Sequence, residues 1–221
     1  MKRFNTTIFA LVAVAGLTTL NSCIKETEPT SVATTNQIAQ SSSATQALLM
    51  AQPAYFNHLW DEDRHYSFGY GAMMHIRDLM ASDITKNSTS YNQWRYWLNN
   101  QYQGDAYIFG QFIWNYYYGF VLAANNVIGN INPESATTEQ LGYLGTGYAF
   151  RAMLYLDMAR MYEFLPNDGT SNINANGNDV TGLTVPIVKA EMTQDEARNN
   201  LRATRAEMKA FIEDDLNKAE E

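Results

Sequence analysis

The sequence predicts a mainly α-helical protein built from helical hairpins. Three observations carry this. Phe112, Tyr116, Phe120, Ala123, Val127 and Ile131 step by 4, 4, 3, 4 and 4 residues, which places them on one helical face. Leu141, Leu144, Tyr148, Ala152, Tyr155, Ala159 and Tyr162 step by 3, 4, 4, 3, 4 and 3, and Phe150, Leu154, Met158 and Met161 add a second stripe. Between the two runs stand a stop, Asn130-Ile131-Asn132-Pro133, and a start, Thr137-Thr138-Glu139, so the helices form an antiparallel hairpin. A helix apolar on two faces is sandwiched between neighbours, as in a repeat array.

The remaining elements follow in order. Ser41-Ser42-Ser43 offers N-caps for a helix from about Ala44, with Leu48, Leu49, Ala51 and Phe56 as its core residues and Pro53 as a kink or restart. Met73, Ile76, Leu79 and Met80 predict a shorter helix ending before Ser82-Asp83. Leu144-Gly145-x-x-Tyr148 matches a fragment of the tetratricopeptide pattern, so the expected packing is tetratricopeptide-like. Asn167 to Gly182 reads as a loop rich in Asn, Gly and Asp, and Leu183 to Val188 as an extended segment, because Pro186 biases Val185 away from helix. Thr204-x-x-Glu207 is a capping box, followed by the apolar stripe Met208, Phe211, Ile212 and Leu216. That last helix reaches Glu221 without a closing Gly, Asn or Pro, so a longer protein is expected, with residues 46–221 as the N-terminal part of its helical domain.

Charge and composition narrow the function. The chain has 15 Lys+Arg against 23 Asp+Glu, a net charge of −8, which disfavours nucleic acid as a partner. Of its 28 aromatic residues, 18 fall between Tyr55 and Tyr118. There is one cysteine, Cys23, so neither an internal disulfide nor a cysteine-based metal site can form. Met1-Lys2-Arg3 followed by an apolar stretch to Leu20 has the architecture of a secretory signal peptide, residues 1–22. Its end, Leu20-Asn21-Ser22-Cys23, resembles a bacterial lipobox, which makes Cys23 the site of lipidation and the anchor to the membrane. Cleavage before Cys23 removes Lys2 and Arg3 and takes the charge from −8 to −10. Residues 23–45, rich in Thr, Ser, Gln and Asn, read as a flexible tether.

The candidate binding residues lie in the run from Tyr91 to Gln101, where Tyr91, Trp94, Tyr96 and Trp97 alternate with Asn92, Gln93, Asn99 and Asn100. A sugar ring packs its C–H face on an aromatic ring and bonds its hydroxyls to amides, so this mixture suits a glycan. Packing between helices is the competing reading, and it is the expected one for Phe112, Trp114, Tyr116 and Phe120. His58, Asp61, Glu62, Asp63 and His65 read as a solvated polar face rather than a metal site or a glycosidase carboxylate pair. Asn172-x-Asn174-x-Asn176-Gly177 imitates half of a calcium loop but has Leu183 where the bidentate Glu belongs. No catalytic residue, metal site or cofactor is assigned.

Three segments in order carry a family resemblance. They are Trp114-x-x-x-Tyr118 with Ala124-Asn125-Asn126-Val127-Ile128; Tyr148 to Met158 with Phe150-Arg151-Ala152, followed by Gly182 and Val185-Pro186-Ile187-Val188; and Arg205 to Ile212 with Asp215-Leu216-x-x-Ala219. Together they resemble the SusD/RagB family of outer-membrane nutrient-binding lipoproteins. The resemblance implies a SusD-like helical fold and a non-enzymatic role. It implies a lipid-anchored protein of the cell outer membrane, facing the surface, that captures a glycan or other oligomeric nutrient and delivers it to a SusC-like TonB-dependent transporter. The alternative is a helical-repeat lipoprotein that binds protein and has no glycan site. Acidic Glu26 and Glu28 after the cysteine resemble the surface-export signal of Bacteroidetes lipoproteins.

Overall fold

The computed structural model describes residues 37–38, 41–58, 64–86, 93–100, 102–104, 106–166 and 171–221. All of them belong to the unit Thr35–Glu221. The signal segment, Cys23, Tyr91, Asp61, Glu62 and Asp63 lie outside the described residues.

Helix α1 is Ser42–Ala54, with the Ser41 hydroxyl accepting from the Ala44 N–H at 3.3 Å. Its buried residues are Thr45 and Gln52, not the apolar set expected from the sequence. Leu48 is half-buried against the cluster of Val127, Ile131 and Leu144, and Ala51 is exposed. Pro53 sits in the last turn, where the helix ends anyway. Helix α2, Tyr70–Ala81, buries Ala72, Met73, Ile76 and Leu79 and stops at Ser82 in the left-handed region.

Helices α3, Ile108–Asn130, and α4, Thr138–Tyr162, form the expected hairpin. Thr137 and Gln140 close a capping box at the start of α4, with bonds of 3.2 and 3.0 Å. Contacts at three levels show the antiparallel register: Trp114 on Tyr162 with ring centroids 5.2 Å apart, Tyr117 on Asp157 at 3.3 Å, and Gly147 against Val127. Gly147 is what lets the backbones close there, since a Cβ would sit 3.3 Å from Val127 Cγ1. All six residues of the first predicted stripe are buried, and so is a second face of α3 through Ile113, Tyr117, Val121 and Ala124. Leu141, in the first turn of α4, is an exception to its stripe at 43% exposed.

Beyond α4 the chain forms β1, Leu183–Pro186, a short helix α5, Gln194–Arg198, and β2, Arg202–Thr204, which pairs antiparallel with β1 across a bulge. The sequence reading has no β2, because three residues are too few to display an alternation. The capping box Thr204/Glu207 then opens helix α6, Arg205–Glu220. It runs antiparallel to α4, as the Glu163–Arg205 and Arg151–Asp215 pairs require. Leu216 is exposed on α6 while Asp215 is fully buried, a reversal of what hydrophobicity alone predicts.

A buried polar knot explains that reversal. Arg151 on α4 donates to Asp215 through Nε at 2.8 Å and Nη2 at 2.7 Å, and through Nη1 to Asn125 Oδ1 on α3 at 2.7 Å. Asn125 Nδ2 donates onward to the Val188 carbonyl at 3.0 Å. The Tyr155 hydroxyl accepts the Val188 N–H at 2.7 Å, and the Tyr118 hydroxyl donates to the Pro186 carbonyl at 2.7 Å. The separated sequence motifs therefore meet at one place, where three helices and the extended segment are tied together. No helix among the described residues is long and apolar enough to cross a membrane.

Candidate functional site

The run from residue 93 to residue 100 is not an open loop. It makes two short 3₁₀ turns, Gln93–Tyr96 and Leu98–Asn100, and reverses with Asn99 and Asn100 at φ 58° and 56°. Asn tolerates this left-handed conformation better than most residues, and such strain concentrates at functional sites. The turns present Trp94 and Tyr96 differently from Trp97.

Trp97, expected from the sequence as a sugar platform, is instead a core residue with 0% of its surface exposed. Its ring lies among Tyr66, Phe109 and Phe112 at centroid distances of 5.0, 5.4 and 5.8 Å, and its Nε1–H donates to the Phe109 carbonyl at 3.4 Å. A ring so enclosed has no face for a ligand. Trp94 is half-buried, with His75 at 4.6 Å and His65 at 5.7 Å from its ring centre. The His65 Nε2 accepts the Gln93 N–H at 3.1 Å, and burial holds its imidazole below the ordinary value of 6.5.

Tyr96 leads outward. It stacks on Phe109 at 4.0 Å with an interplanar angle of 15°, and meets the edge of Tyr102 at 5.6 Å. Tyr102 meets Tyr107 at 5.2 Å, and Tyr107 is 45% exposed. The strip Tyr96–Tyr102–Tyr107 is thus anchored at one end and open at the other. Sequence reasoning omitted Tyr102 and Tyr107. Their signal was present, since the dense aromatic run continues past Gln101 to the start of α3.

Gln103 joins this strip to a cleft. Its Nε2 donates to the Tyr96 carbonyl at 3.3 Å, and it lines a cavity of about 520 Å³ together with Arg77, Gly110, Ile113, Arg160 and Tyr162. Met80, Ala81 and Met161 complete an apolar lining. The volume is that of an ordinary small-ligand site. Behind the wall, Asp157 accepts from the Tyr70 hydroxyl at 2.5 Å, the Tyr117 hydroxyl at 3.3 Å and Arg77 Nη1 at 3.3 Å. Burial, then the bond to Asp157, pushes the Tyr70 phenol up to about 12, and burial pushes Tyr162 to about 12. Both stay neutral near pH 7, so they serve as hydrogen-bonding groups and not as bases.

Other sequence candidates are placed elsewhere. His58 is exposed and His65 is largely so, with its ring only partly desolvated against Tyr66 and Trp94, and the carboxylates between them lie outside the described residues. Asn174 Oδ1 accepts the N–H groups of Asn176 at 2.9 Å and Asn178 at 3.0 Å, which closes a turn.

No family model matches the chain, and no curated protein matches it either. Among solved structures it is similar to a SusD-like carbohydrate binding protein from Bacteroides vulgatus, with 22% identity and a TM-score of 0.58. That likeness covers 80% of this chain and 34% of the other, so the chain spans about a third of that protein's length. At this identity the shared property is the architecture: the chain has a SusD-like fold.

Proposed function

We propose that the chain is the glycan-capturing part of a non-catalytic, surface-exposed outer-membrane lipoprotein that hands its ligand to a SusC-like TonB-dependent transporter. The observation that carries this reading is the open aromatic strip ending in Tyr107, set beside a cleft of ligand size. An exposed Tyr is a rigid surface that loses little entropy on stacking a sugar ring. Gln103 and Tyr162 supply hydrogen-bonding groups for hydroxyls at the cleft. Tyr96 anchors the strip on Phe109, Trp94 packs against Trp97 on the same run, and Trp94 and Tyr91 are proposed as further contacts. The carbohydrate-binding character of the structural neighbour points the same way. Cys23 is the proposed lipid anchor, on the strength of the lipobox resemblance.

The test is a glycan array probed with the full chain, followed by affinity electrophoresis of the Tyr107→Ala variant. Binding to one or more glycans that weakens in the variant supports the reading. A blank across a broad panel of neutral and acidic glycans overturns it. The anchor is checked separately: Cys23→Ala should move the protein from the membrane to the soluble fraction, and protease treatment of intact cells should remove the wild-type chain.

A further inference from the structure

Three grooves on the molecule differ in their charges. The groove lined by Lys189, Arg202, Glu207 and Asp214 is mixed in sign, two against two, and so is the one lined by Arg160, Arg205, Lys209, Glu163 and Glu213, three positive against two negative. The cleft beside the aromatic strip is not. Arg77 and Arg160 both line it, and among the described residues no carboxylate does. This stands out on a chain whose net charge is −8.

The two guanidiniums are not equivalent. Arg77 is partly neutralised by Asp157, 3.3 Å away. Arg160 is exposed, and its guanidinium makes no hydrogen bond or ion pair among the described residues. Its neighbours across the adjoining groove are already taken: Glu163 pairs with Arg205 at 2.6 Å, and Glu213 with Lys209 at 3.5 Å. Among the described residues, one positive charge therefore lines the cleft without an ion-pair partner, beside an apolar lining and the Tyr162 phenol. A planar guanidinium in such a place is suited to a carboxylate or a sulfate ester, which it can bind through paired N–H donors.

We infer that this cleft selects an acidic glycan, with Arg160 pairing the carboxylate or sulfate of a sugar whose neighbouring ring stacks on the tyrosine strip. The inference rests on the glycan-binding reading above and adds the charge class of the ligand. Arg160 is then a specificity residue and Arg77 its partner at the inner wall.

The experiment measures affinity of the full chain for oligogalacturonides and their methyl esters, and for chondroitin sulfate oligosaccharides and their desulfated forms, with neutral oligosaccharides alongside. Wild type should prefer at least one acidic ligand to its neutralised counterpart, and the preference should fall steeply with added salt. Arg160→Ala should reduce the acidic-to-neutral affinity ratio by about tenfold, the effect of losing one charged hydrogen-bonding partner, while Arg160→Lys should restore part of it. Because Arg160 is exposed, both variants should melt as wild type does. Equal affinity for acidic and neutralised forms, binding confined to neutral glycans, or a ratio unmoved in Arg160→Ala would each overturn the inference and leave the glycan reading standing. Failure to bind any glycan in the set would overturn both.

Discussion

Arg151 and Asp215, 64 residues apart, form a two-pronged ion pair with bonds of 2.8 and 2.7 Å, and both are almost wholly withdrawn from water. The pair clamps α6 onto α4, and Asn125 extends it to α3. Removing one partner of a buried pair leaves the other charge unsolvated, which typically costs about 3–5 kcal/mol. Asp215→Ala should therefore cost about that much in urea unfolding. Replacing both partners together, as Arg151→Met with Asp215→Leu, should recover most of the loss, because no orphan charge remains. If the single variant melts like wild type, the clamp is ornamental to stability.

Trp97 and Tyr107 should separate stability from binding. Truncating the buried ring in Trp97→Ala leaves a large cavity among Tyr66, Phe109 and Phe112, with an expected cost of about 3–5 kcal/mol. Tyr107→Ala touches an exposed ring and should stay within about 0.5 kcal/mol of wild type. Its effect should appear as weaker glycan binding, by about tenfold, the worth of one stacking surface. Thermal melts and affinity electrophoresis on both variants distinguish these outcomes. A Tyr107→Ala protein with undiminished affinity would remove the strip from the site.

The helices were legible from sequence because each long stripe repeats over five turns or more, and every residue of the Phe112 to Ile131 stripe is buried. Asp215 shows why the core was only partly legible. Its burial depends on Arg151, which no local pattern can reveal, although the family resemblance had singled out both residues. The candidate site was legible as composition and not as geometry. The aromatic density between Tyr55 and Tyr118 is plain in the chain, but which ring faces water depends on where the 3₁₀ turns put it. Trp97 turns inward and Tyr107 outward for that reason. The arginine cleft was not legible at all, since Arg77, Gln103 and Arg160 come together only through the packing of α2 and α4 around the start of α3.

Three glycines make a graded test of backbone requirements. Gly69 has φ 77° and approaches the end of α1 so closely that a Cβ would lie 2.2 Å from the Phe56 carbonyl. Gly177 has φ 80° with open space around it, and Gly142 is an ordinary helical position in α4, also in open space. Gly177→Ala should lose about 1 kcal/mol through the positive φ alone. Gly69→Ala carries the same strain plus a clash with rigid backbone, so it should be much the most damaging of the three. Gly142→Ala should stabilise by about 0.5–1 kcal/mol, because it lowers the entropy of the unfolded chain without strain. Melting temperatures in the order Gly142→Ala, wild type, Gly177→Ala, Gly69→Ala are expected, and any exchange of the last two contradicts the close approach at Gly69.

His65 should make the aromatic run sensitive to acid. Its neutral Nε2 accepts the Gln93 N–H, and burial holds its folded-state value below the ordinary 6.5. A histidine with a lowered value in the folded state favours folding at pH above 6.5 and withdraws that support as pH falls below it. Protonation also removes the acceptor, so the first 3₁₀ turn loses its tie to residue 65. Trp94, whose ring centre lies 5.7 Å from that of His65, is the reporter. Tryptophan emission should change between pH 7 and pH 5 in a His75→Phe background, which removes the nearer imidazole 4.6 Å from Trp94, and adding His65→Phe should abolish the change while keeping the ring contact. A pH response that survives in His65→Phe would assign the titration to another group.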